Sequence, residues 1–124
     1  MPKKILIVDD DKGLSHVLTS MLEADNYEVV KAYDGQEGLE SAHREKPDLI
    51  LLDLMLPKMD GYKVCRLLKF DMKYKDIRII LCSARAEESD KKMGEDVGAD
   101  AYIVKPFKTA IILAKIKELL GEKP

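Results

Sequence analysis

The chain has 124 residues, enough for one domain of ordinary size, and 46% of them are hydrophobic while 35% are charged. The formal net charge is -2, and acids and bases are mixed along the chain, which argues against a nucleic-acid-binding arm or a polybasic membrane patch. No apolar run approaches the length of a membrane span, and the first one is too short for a secretory signal. We therefore expect one domain, residues 1–124, with no direct nucleic-acid or membrane partner.

Strand-length apolar runs alternate with helix-like segments from the start of the chain. Residues 5–8 form the first run, and residues 28–32 are interpreted as a short second strand. Asp34 begins the second helix, because Glu37 follows it with the spacing of a capping box, and Pro47 ends that helical region. The first helix is predicted from apolar residues at helical spacing, namely Leu14, Val17, Leu18, Met21 and Leu22.

The middle of the chain continues the alternation. Residues 49–52 are predicted as the third strand and residues 77–82 as the fourth, since both are nearly continuous apolar runs. Asp60 and Gly61 open the helix between them. The expected core face of that helix consists of Val64, Leu67 and Leu68.

The last third contains a weakly apolar helix and then a stronger one. Residues 86–97 are predicted to be helical and closed by Gly98, with most positions charged. Its core candidates are Ala86, Met93 and Val97. Residues 102–104 follow as the fifth strand and residues 109–120 as the last helix. That helix places Leu113, Ile116 and Leu120 on one face, and we interpret Ile111 and Ala114 as neighbouring core rather than a partner surface.

Five strands, each followed by a helix, predict an α/β fold with a parallel sheet and helices on both faces. In such open sheets ligands bind beyond the carboxyl ends of the strands. The groups that follow the strands are Asp9, Asp10, Asp11, Asp53, Ser83 and Lys105. Asp11 is more simply explained as a helix cap.

These side chains have complementary chemistry if they meet at one edge. Two carboxylates ~4 Å apart repel by about 4 kcal/mol at an effective dielectric of 20, so Asp53 with Asp9 or Asp10 would share protons or recruit a cation. Hard oxygen ligands suit Mg2+. Lys105 adds a movable positive charge and Ser83 a hydroxyl donor. Together they are the components of phosphoryl transfer, with Asp53 as the nucleophile that forms an acyl phosphate.

At this point the sequence resembles the receiver domains of two-component response regulators, and in particular the single-domain chemotaxis type, throughout its length. The resemblance is carried by ILIVDDD at 5–11, DLILLDLMLPKMDG at 48–61, IILCSA at 79–84 and GADAYIVKPF at 98–107. It implies a doubly wound (βα)5 fold with flavodoxin-like strand order 2-1-3-4-5. It also implies a bacterial-type phosphorelay protein that takes a phosphoryl group from a histidine kinase or a histidine phosphotransfer protein and then binds a downstream target.

The resemblance also implies a role for each site residue. Asp53 would accept the phosphoryl group, and Mg2+ (or Mn2+) would be held by Asp9, Asp10, Asp53 and the backbone carbonyl of Met55. Ser83 would bond to the phosphoryl group and Lys105 would pair with another of its oxygens.

Four further roles concern the switch and the lifetime of the phosphoryl group. Tyr102 would be the switch aromatic, turned outward before phosphorylation and inward after it. The bond from Lys105 to Pro106 would be cis. Met55 and Arg85 would flank the phosphoryl group and tune its hydrolysis, and we hypothesise that Met55 shields the acyl phosphate from water.

Three rival functions are weighed against this one. A haloacid-dehalogenase-like phosphatase also uses Asp and Mg2+, but it usually needs a second Asp where this chain has Met55. A nucleotide- or flavin-binding module would require a Gly-rich first turn. A pseudo-receiver that only binds partners is disfavoured by the complete residue set. We therefore expect a phosphoacceptor rather than an enzyme.

The cysteines and the end of the chain bear on location and context. Cys65 and Cys82 show no CxxC spacing and are interpreted as buried thiols in a reducing cytosol, so we expect a cytoplasmic protein. The chain stops soon after the last predicted helix. We expect either a stand-alone regulator that signals by binding another protein or a fragment of a longer one. The pathway, and a dimer formed on phosphorylation, stay open.

Overall fold

Five strands alternate with five helices along residues 2–122, the part of the chain that the computed structural model describes. Met1, Lys123 and Pro124, which the predicted domain of residues 1–124 includes, lie outside the described residues. The elements are β1 (Lys4–Val8), α1 (Lys12–Ala24), β2 (Glu28–Ala32), α2 (Gly35–Glu45), β3 (Leu49–Asp53), α3 (Gly61–Lys69), β4 (Arg78–Ser83), α4 (Glu88–Asp96), β5 (Ala101–Val104) and α5 (Thr109–Leu119).

The strands form one parallel sheet in the order β2-β1-β3-β4-β5, which confirms the predicted α/β doubly wound fold. The three central strands are the continuous apolar runs of the sequence, and their hydrophobic residues are buried because helices cover both faces. Within residues 2–122, none of the helices has both the length and the hydrophobicity that crossing a bilayer requires.

Alternate residues of each strand supply two separate cores. Leu6 and Val8 face the layer that contains α2, α3 and α4, while Ile5 and Ile7 face the layer that contains α1 and α5. The first layer is completed by Val64, Leu68 and Val97, and the second by Leu18, Leu22, Ile112 and Ile116. The sheet is therefore held on both sides, and its carboxyl edge is left for the loops.

Several helix-face predictions are wrong. Val17 of α1 and Leu67 of α3 are half exposed rather than core, and Cys65 takes the place of Leu67 against the sheet. In α4 only Gly94 is buried, because Met93 points outward, Ala86 precedes the helix and Val97 packs inward as the residue after it. A period of 3.6 residues does not fix which edge of an apolar stripe faces the sheet.

The α5 prediction is correct for one face and wrong for two residues. Ile116 is fully buried, and Leu113 and Leu120 pack against the same core, which Ile112 extends. Ile111 and Ala114 are exposed, so their interpretation as neighbouring core is wrong. Apolar residues occupy nearly every position in this stretch, so the hydrophobic pattern alone does not choose the buried face.

The predicted helix caps are present at two sites. Asp11 accepts a hydrogen bond from the backbone N–H of Leu14, which confirms its role as the cap of α1. Asp34 accepts one from Glu37, whose own carboxylate reaches back to the N–H of Tyr33. Each cap fixes the direction in which the chain leaves the carboxyl edge of the sheet.

Candidate functional site

Four strand ends bring the predicted site residues to one edge of the sheet. Val8 is in register with Leu52, so Asp9 and Asp53 lie side by side. Asp53 is paired with Cys82, and Ser83 is paired with Val104. Asp53 and Ser83 are the last residues of their strands rather than the first residues after them. The rigid sheet therefore fixes both backbone positions.

Three carboxylates form a cluster at this edge. Asp9, Asp10 and Asp53 each place an oxygen within 4.8 Å of the others. Asp9 and Asp53 are buried, at 4% and 8% exposure, while Asp10 is exposed. Asp9 also accepts a hydrogen bond from the backbone N–H of Asp11, 2.9 Å away, which orients its carboxylate. Two buried acids beside a third have much less water around them than ordinary surface acids.

The ammonium group of Lys105 offsets part of this negative charge. Its Nζ lies 2.9 Å from Asp9 Oδ2 and 3.5 Å from Asp53 Oδ1. Burial acts to lower the pKa of Lys105, but the hydrogen bond to Asp9 and the charges of Asp9 and Asp53 outweigh it and raise that pKa. Lys105 therefore stays charged, and it bridges two of the three acids. The peptide bond that follows it, to Pro106, is cis.

The carboxyl group of Asp53 is held out of its ordinary titration range. Burial raises the pKa of Asp53, and the neighbouring charge of Asp9 raises it further. Lys105 and the backbone N–H of Met55, 3.4 Å from Asp53 Oδ1, act in the opposite direction without cancelling the shift. The site thus carries more negative charge than its one ammonium group compensates.

Ser83 and Tyr102 lie on the other side of Asp53, on β4 and β5. The hydroxyl of Ser83 is 1% exposed and accepts a hydrogen bond from the backbone N–H of Arg85 at 3.1 Å. The phenol of Tyr102 donates to the carbonyl oxygen of Arg85 at 2.8 Å, and its ring is half-buried against the core that contains Leu81. Both side chains therefore hold the loop that connects β4 to α4.

Met55 and Arg85 flank the cluster on its open side. Met55 is 57% exposed and Arg85 is also exposed. Both line an open depression of about 420 Å³, together with Leu56, Asp60 and Tyr62. Arg85 lies 4.0 Å from the carboxylate of Asp90. The two residues thus share one surface depression beside the ends of β3 and β4.

Two residues of this region, Gly61 and Tyr62, were not predicted to contribute to the site. An added Cβ on Gly61 would lie 2.4 Å from the carbonyl oxygen of Asp53, so only glycine lets α3 begin this close to the site. The phenol of Tyr62 donates to the carbonyl oxygen of Asp90 and links α3 to α4. The Asp60-Gly61 pair was a visible signal for a helix start, whereas nothing in the sequence marks the Tyr62 contact.

The donor set fits a hard divalent cation. Carboxylate oxygens from Asp9, Asp10 and Asp53 converge, and no imidazole or thiolate joins this cluster within residues 2–122. A small number of protein oxygen ligands suits Mg2+, because this ion retains several of its coordinated water molecules. The nearest thiol is buried Cys82, and burial raises the pKa of Cys82 to about 12, so it stays protonated.

Comparisons with known proteins agree on one family. The family model described as response regulator receiver domain matches residues 5–117. The chain is 44% identical over 120 residues to the alkaline phosphatase synthesis transcriptional regulatory protein PhoP of Bacillus subtilis (strain 168). That match covers 97% of this chain and 49% of PhoP, so the chain spans about half the length of this curated relative.

Two solved structures illustrate the structural similarity. A CheY-like response regulator receiver domain protein of Methanospirillum hungatei JF-1 superposes with a TM-score of 0.91 at 34% identity, covering 98% of this chain and 95% of that one. The receiver domain of sensor histidine kinase PA1611 of Pseudomonas aeruginosa PAO1 superposes with a TM-score of 0.88 at 30% identity, covering 98% and 100%. The latter structure has a magnesium ion coordinated in its active-site cleft.

Proposed function

The chain belongs to the response regulator receiver domain family, and from that premise we propose that Asp53 is the residue that accepts a phosphoryl group. Receiver domains of response regulators act in phosphorylation-based signalling. The observation that carries the assignment to Asp53 is its position between Lys105, 3.5 Å away, and the carboxylates of Asp9 and Asp10. Asp9 also contacts Lys105, but hydrogen bonds from Lys105 and from the Asp11 N–H engage both of its oxygens, whereas the contacts of Asp53 with Lys105 and the Met55 N–H both fall on Oδ1.

The transfer itself exchanges one bond for another. The bond from phosphorus to the donor's histidine nitrogen breaks as a carboxylate oxygen of Asp53 bonds to phosphorus, and the released imidazole takes up a proton. Asp53 must be ionised to attack, and its raised pKa means that the nearby positive charge decides how much of it is ionised. Lys105 supplies that charge and would pair with an oxygen of the transferred group.

We propose that Asp9, Asp10 and Asp53, with the backbone carbonyl of Met55, hold Mg2+ (or Mn2+). The support is the convergence of the three carboxylates, against which Lys105 is the one ammonium group in contact among residues 2–122. When bound, a divalent cation offers positive charge to the phosphoryl oxygens. Lys105 is already 2.9 Å from Asp9, so it orients that acid independently of the metal.

We propose that Ser83 and Tyr102 convert phosphorylation into a change of surface. Ser83 currently accepts from the backbone of Arg85, and Tyr102 donates to the same residue's carbonyl oxygen. If the Ser83 side chain rotates towards a phosphoryl oxygen, so that its Oγ moves away from the Arg85 N–H, the loop after β4 loses one of these two contacts. The loop leads directly into α4, whose single buried residue is Gly94.

We propose that the chain is a phosphoacceptor and not a turnover phosphatase. The position two residues after Asp53, where such phosphatases usually carry an acid, is occupied by Met55, and this thioether has no proton to give a leaving group. Met55 and Arg85 would instead control how water reaches the acyl phosphate.

Receiver domains interact with histidine kinases and downstream effectors, and we propose that this chain receives its phosphoryl group from a histidine kinase or phosphotransfer protein. A dimer on phosphorylation is compatible with the same scheme. We also propose a cytoplasmic location, which the two free, buried thiols of Cys65 and Cys82 support.

The direct test is phosphorylation of the purified full chain. We expect incubation with acetyl phosphate and Mg2+ to add one phosphoryl group, seen as a single mass increment in intact-protein mass spectrometry. The increment should disappear with EDTA and in Asp53→Asn. Asp10→Asn should slow the reaction at least tenfold at limiting Mg2+, because it removes one carboxylate of the cluster.

A matched control separates the cluster from nearby charge. Asp11 lies beside Asp10 in the sequence but caps α1 instead of joining the cluster, so Asp11→Asn should react at close to the wild-type rate. No mass increment with any phosphodonor would favour the pseudo-receiver. Steady turnover of a phosphate monoester would favour the phosphatase.

The lifetime proposal has its own measurement. If Met55 shields the acyl phosphate, Met55→Asn should speed its decay, because a smaller polar side chain admits and orients water. An unchanged or slower decay in Met55→Asn would contradict the shielding role.

A further inference from the structure

Exposed apolar side chains are concentrated at one place, away from the carboxylate cluster. Of the seven exposed large hydrophobic residues among those that the structure describes, four line one open groove of about 1060 Å³ between α3 and α4. They are Leu67 at 44%, Phe70 at 69%, Met72 at 79% and Met93 at 47% exposure. Single exposed apolar residues are ordinary, whereas a contiguous set of this size marks a binding surface.

Apolar side chains line the groove from both of its helices. Leu67 on α3 is three positions before Phe70, the residue after that helix, and Met93 on α4 is four positions before Val97, the residue after that helix. Val97 is buried and forms part of the floor, while Met72 follows α3 at one end. Two of these side chains are flexible methionines, which adapt to an incoming apolar surface.

The charges beside the groove indicate the chemistry of its partner. Lys63, Arg66 and Lys73 line it, and none of the three has an ion-pair partner within 4.0 Å among residues 2–122. Two acids also line the groove, and each uses one carboxylate oxygen as a helix or turn cap, Asp60 for the N–H of Lys63 and Asp71 for that of Lys73. The three cations outnumber the two acids, so the lining carries a net positive charge.

We propose that this α3–α4 groove binds an amphipathic helical segment of another protein, with apolar residues facing the groove and acidic residues beside them. Leu67, Phe70 and Met93 would take the apolar side chains, and Lys63, Arg66 and Lys73 would pair with the acids. A second copy of this chain fits less well. Its other exposed apolar side chains on helices, Val17 and Ile111, are single large residues rather than stripes.

The test uses the full chain and two synthetic helical peptides of the same length. One carries leucines at i, i+4 and i+7 flanked by glutamates, and the other has lysines in place of the glutamates. We expect the glutamate peptide to bind at least tenfold more tightly in fluorescence anisotropy, and its affinity to fall as salt is raised. Equal binding of the two peptides would overturn the proposal, because charge would then not select the partner.

Variants locate the binding to the groove. Phe70→Ser and Arg66→Glu should each weaken the glutamate peptide at least tenfold, whereas Ile111→Ser on α5 and Lys31→Glu on β2 should leave it unchanged. All four positions are exposed, so the fold should persist; if Phe70→Ser fails to fold, Met72→Ser replaces it. Wild-type affinity in the groove variants would overturn the proposal.

Sedimentation equilibrium of the chain alone completes the test. We expect a monomer or a dimer that Phe70→Ser does not alter. A dimer that Phe70→Ser dissociates would instead assign the groove to a second copy and overturn the proposal. The experiment uses unphosphorylated protein without a phosphodonor, so its outcome is independent of whether Asp53 is phosphorylated.

Discussion

Helices α3 and α4 are both nine residues long and pack on the same face of the sheet, yet they are anchored very differently. α3 buries Gly61, Val64, Cys65 and Leu68, whereas α4 buries only Gly94. The side chain of Asp60 caps α3, and no side chain caps α4. Two helices of equal length on one face of a sheet can therefore differ widely in how many buried residues and capping contacts stabilise them.

This asymmetry has a functional consequence, because the two helices follow the two halves of the site. α3 begins after the loop that leaves Asp53, and α4 begins after the loop that leaves Ser83. An element with little buried apolar surface opens or shifts at low free energy. The side of the site that carries Asp53 is therefore fixed, while the side that carries Ser83 leads to the element that is easiest to displace.

Truncating one large apolar side chain on each helix should show the largest contrast. Leu68→Ala on α3 removes a fully buried side chain and should lower the free energy of unfolding by about 2–5 kcal/mol. Met93→Ala on α4 removes a half-exposed one and should change it by no more than about 0.5 kcal/mol. Urea denaturation of both variants measures the difference, and equal losses would refute the contrast.

Adding a methyl group to the glycine of each helix should give a smaller contrast. Gly61→Ala places a Cβ 2.4 Å from the carbonyl oxygen of Asp53 and 2.8 Å from Leu54 Cα, and backbone atoms cannot easily move, so we expect a loss of about 1–3 kcal/mol. The Cβ that Gly94→Ala adds would lie 3.1 Å from Cδ2 of the Tyr102 ring, which is a side chain and can move more easily than backbone.

In the Gly94→Ala variant two effects oppose each other. Alanine is favoured over glycine inside a helix by about 0.5–1 kcal/mol, and the displacement of the Tyr102 ring offsets part of that gain. We therefore expect a net change within about 1 kcal/mol in the same urea titration. A loss as large as that of Gly61→Ala would show that the Tyr102 ring is held as rigidly as the backbone beside Asp53.

Changing the N-cap residue of each helix tests whether the missing side-chain cap is what leaves α4 weakly held. Asp60→Ala removes the acceptor for the Lys63 N–H and should destabilise the protein by about 0.5–2 kcal/mol. Glu87 makes no side-chain cap, so Glu87→Ala should be nearly neutral, while Glu87→Ser should slow hydrogen exchange of the first α4 amides. Faster exchange in Glu87→Ser would argue that the loop conformation, and not the missing cap, limits α4.

Strands and helices differ in how much of their placement the sequence could predict. The central strands are evident as unbroken apolar runs, and the shared direction of the strands places Asp9, Asp53, Ser83 and Lys105 at one edge of the sheet. All strands of a parallel sheet run in the same direction, so the residues that follow the apolar runs lie at the same edge. The positions of these site residues therefore followed directly from the strand pattern.

Helix faces were harder to predict, because a shift of one residue rotates a side chain by about 100°. Leu67 and Met93 were assigned to the core for this reason, and both line the α3–α4 groove instead. The Tyr62 contact was also beyond reach, since it joins two residues 28 positions apart in sequence through a backbone carbonyl that any residue could supply.

That contact leads to the smallest predicted effect, because Tyr62 connects the firmly held helix to the weakly held one. Its phenol donates to the carbonyl oxygen of Asp90 at 2.9 Å. Tyr62→Phe removes this hydrogen bond and should lower the free energy of unfolding by about 0.5–1.5 kcal/mol. It should also speed hydrogen exchange in α4 more than in α3, because α3 keeps its buried anchors.

The pH dependence of that loss tests whether the folded chain favours the neutral phenol of Tyr62. Burial, together with the charges of Tyr102 and Asp90, raises the pKa of Tyr62 to about 12. The neutral phenol is thus favoured in the folded chain, so its stabilisation is complete below the ordinary tyrosine pKa of about 10 and is lost as pH rises from there towards 12. The stability difference between wild type and Tyr62→Phe should therefore be constant from pH 7 to 9 and shrink above pH 10. A difference that stays constant up to pH 11 would contradict the raised pKa of the Tyr62 phenol.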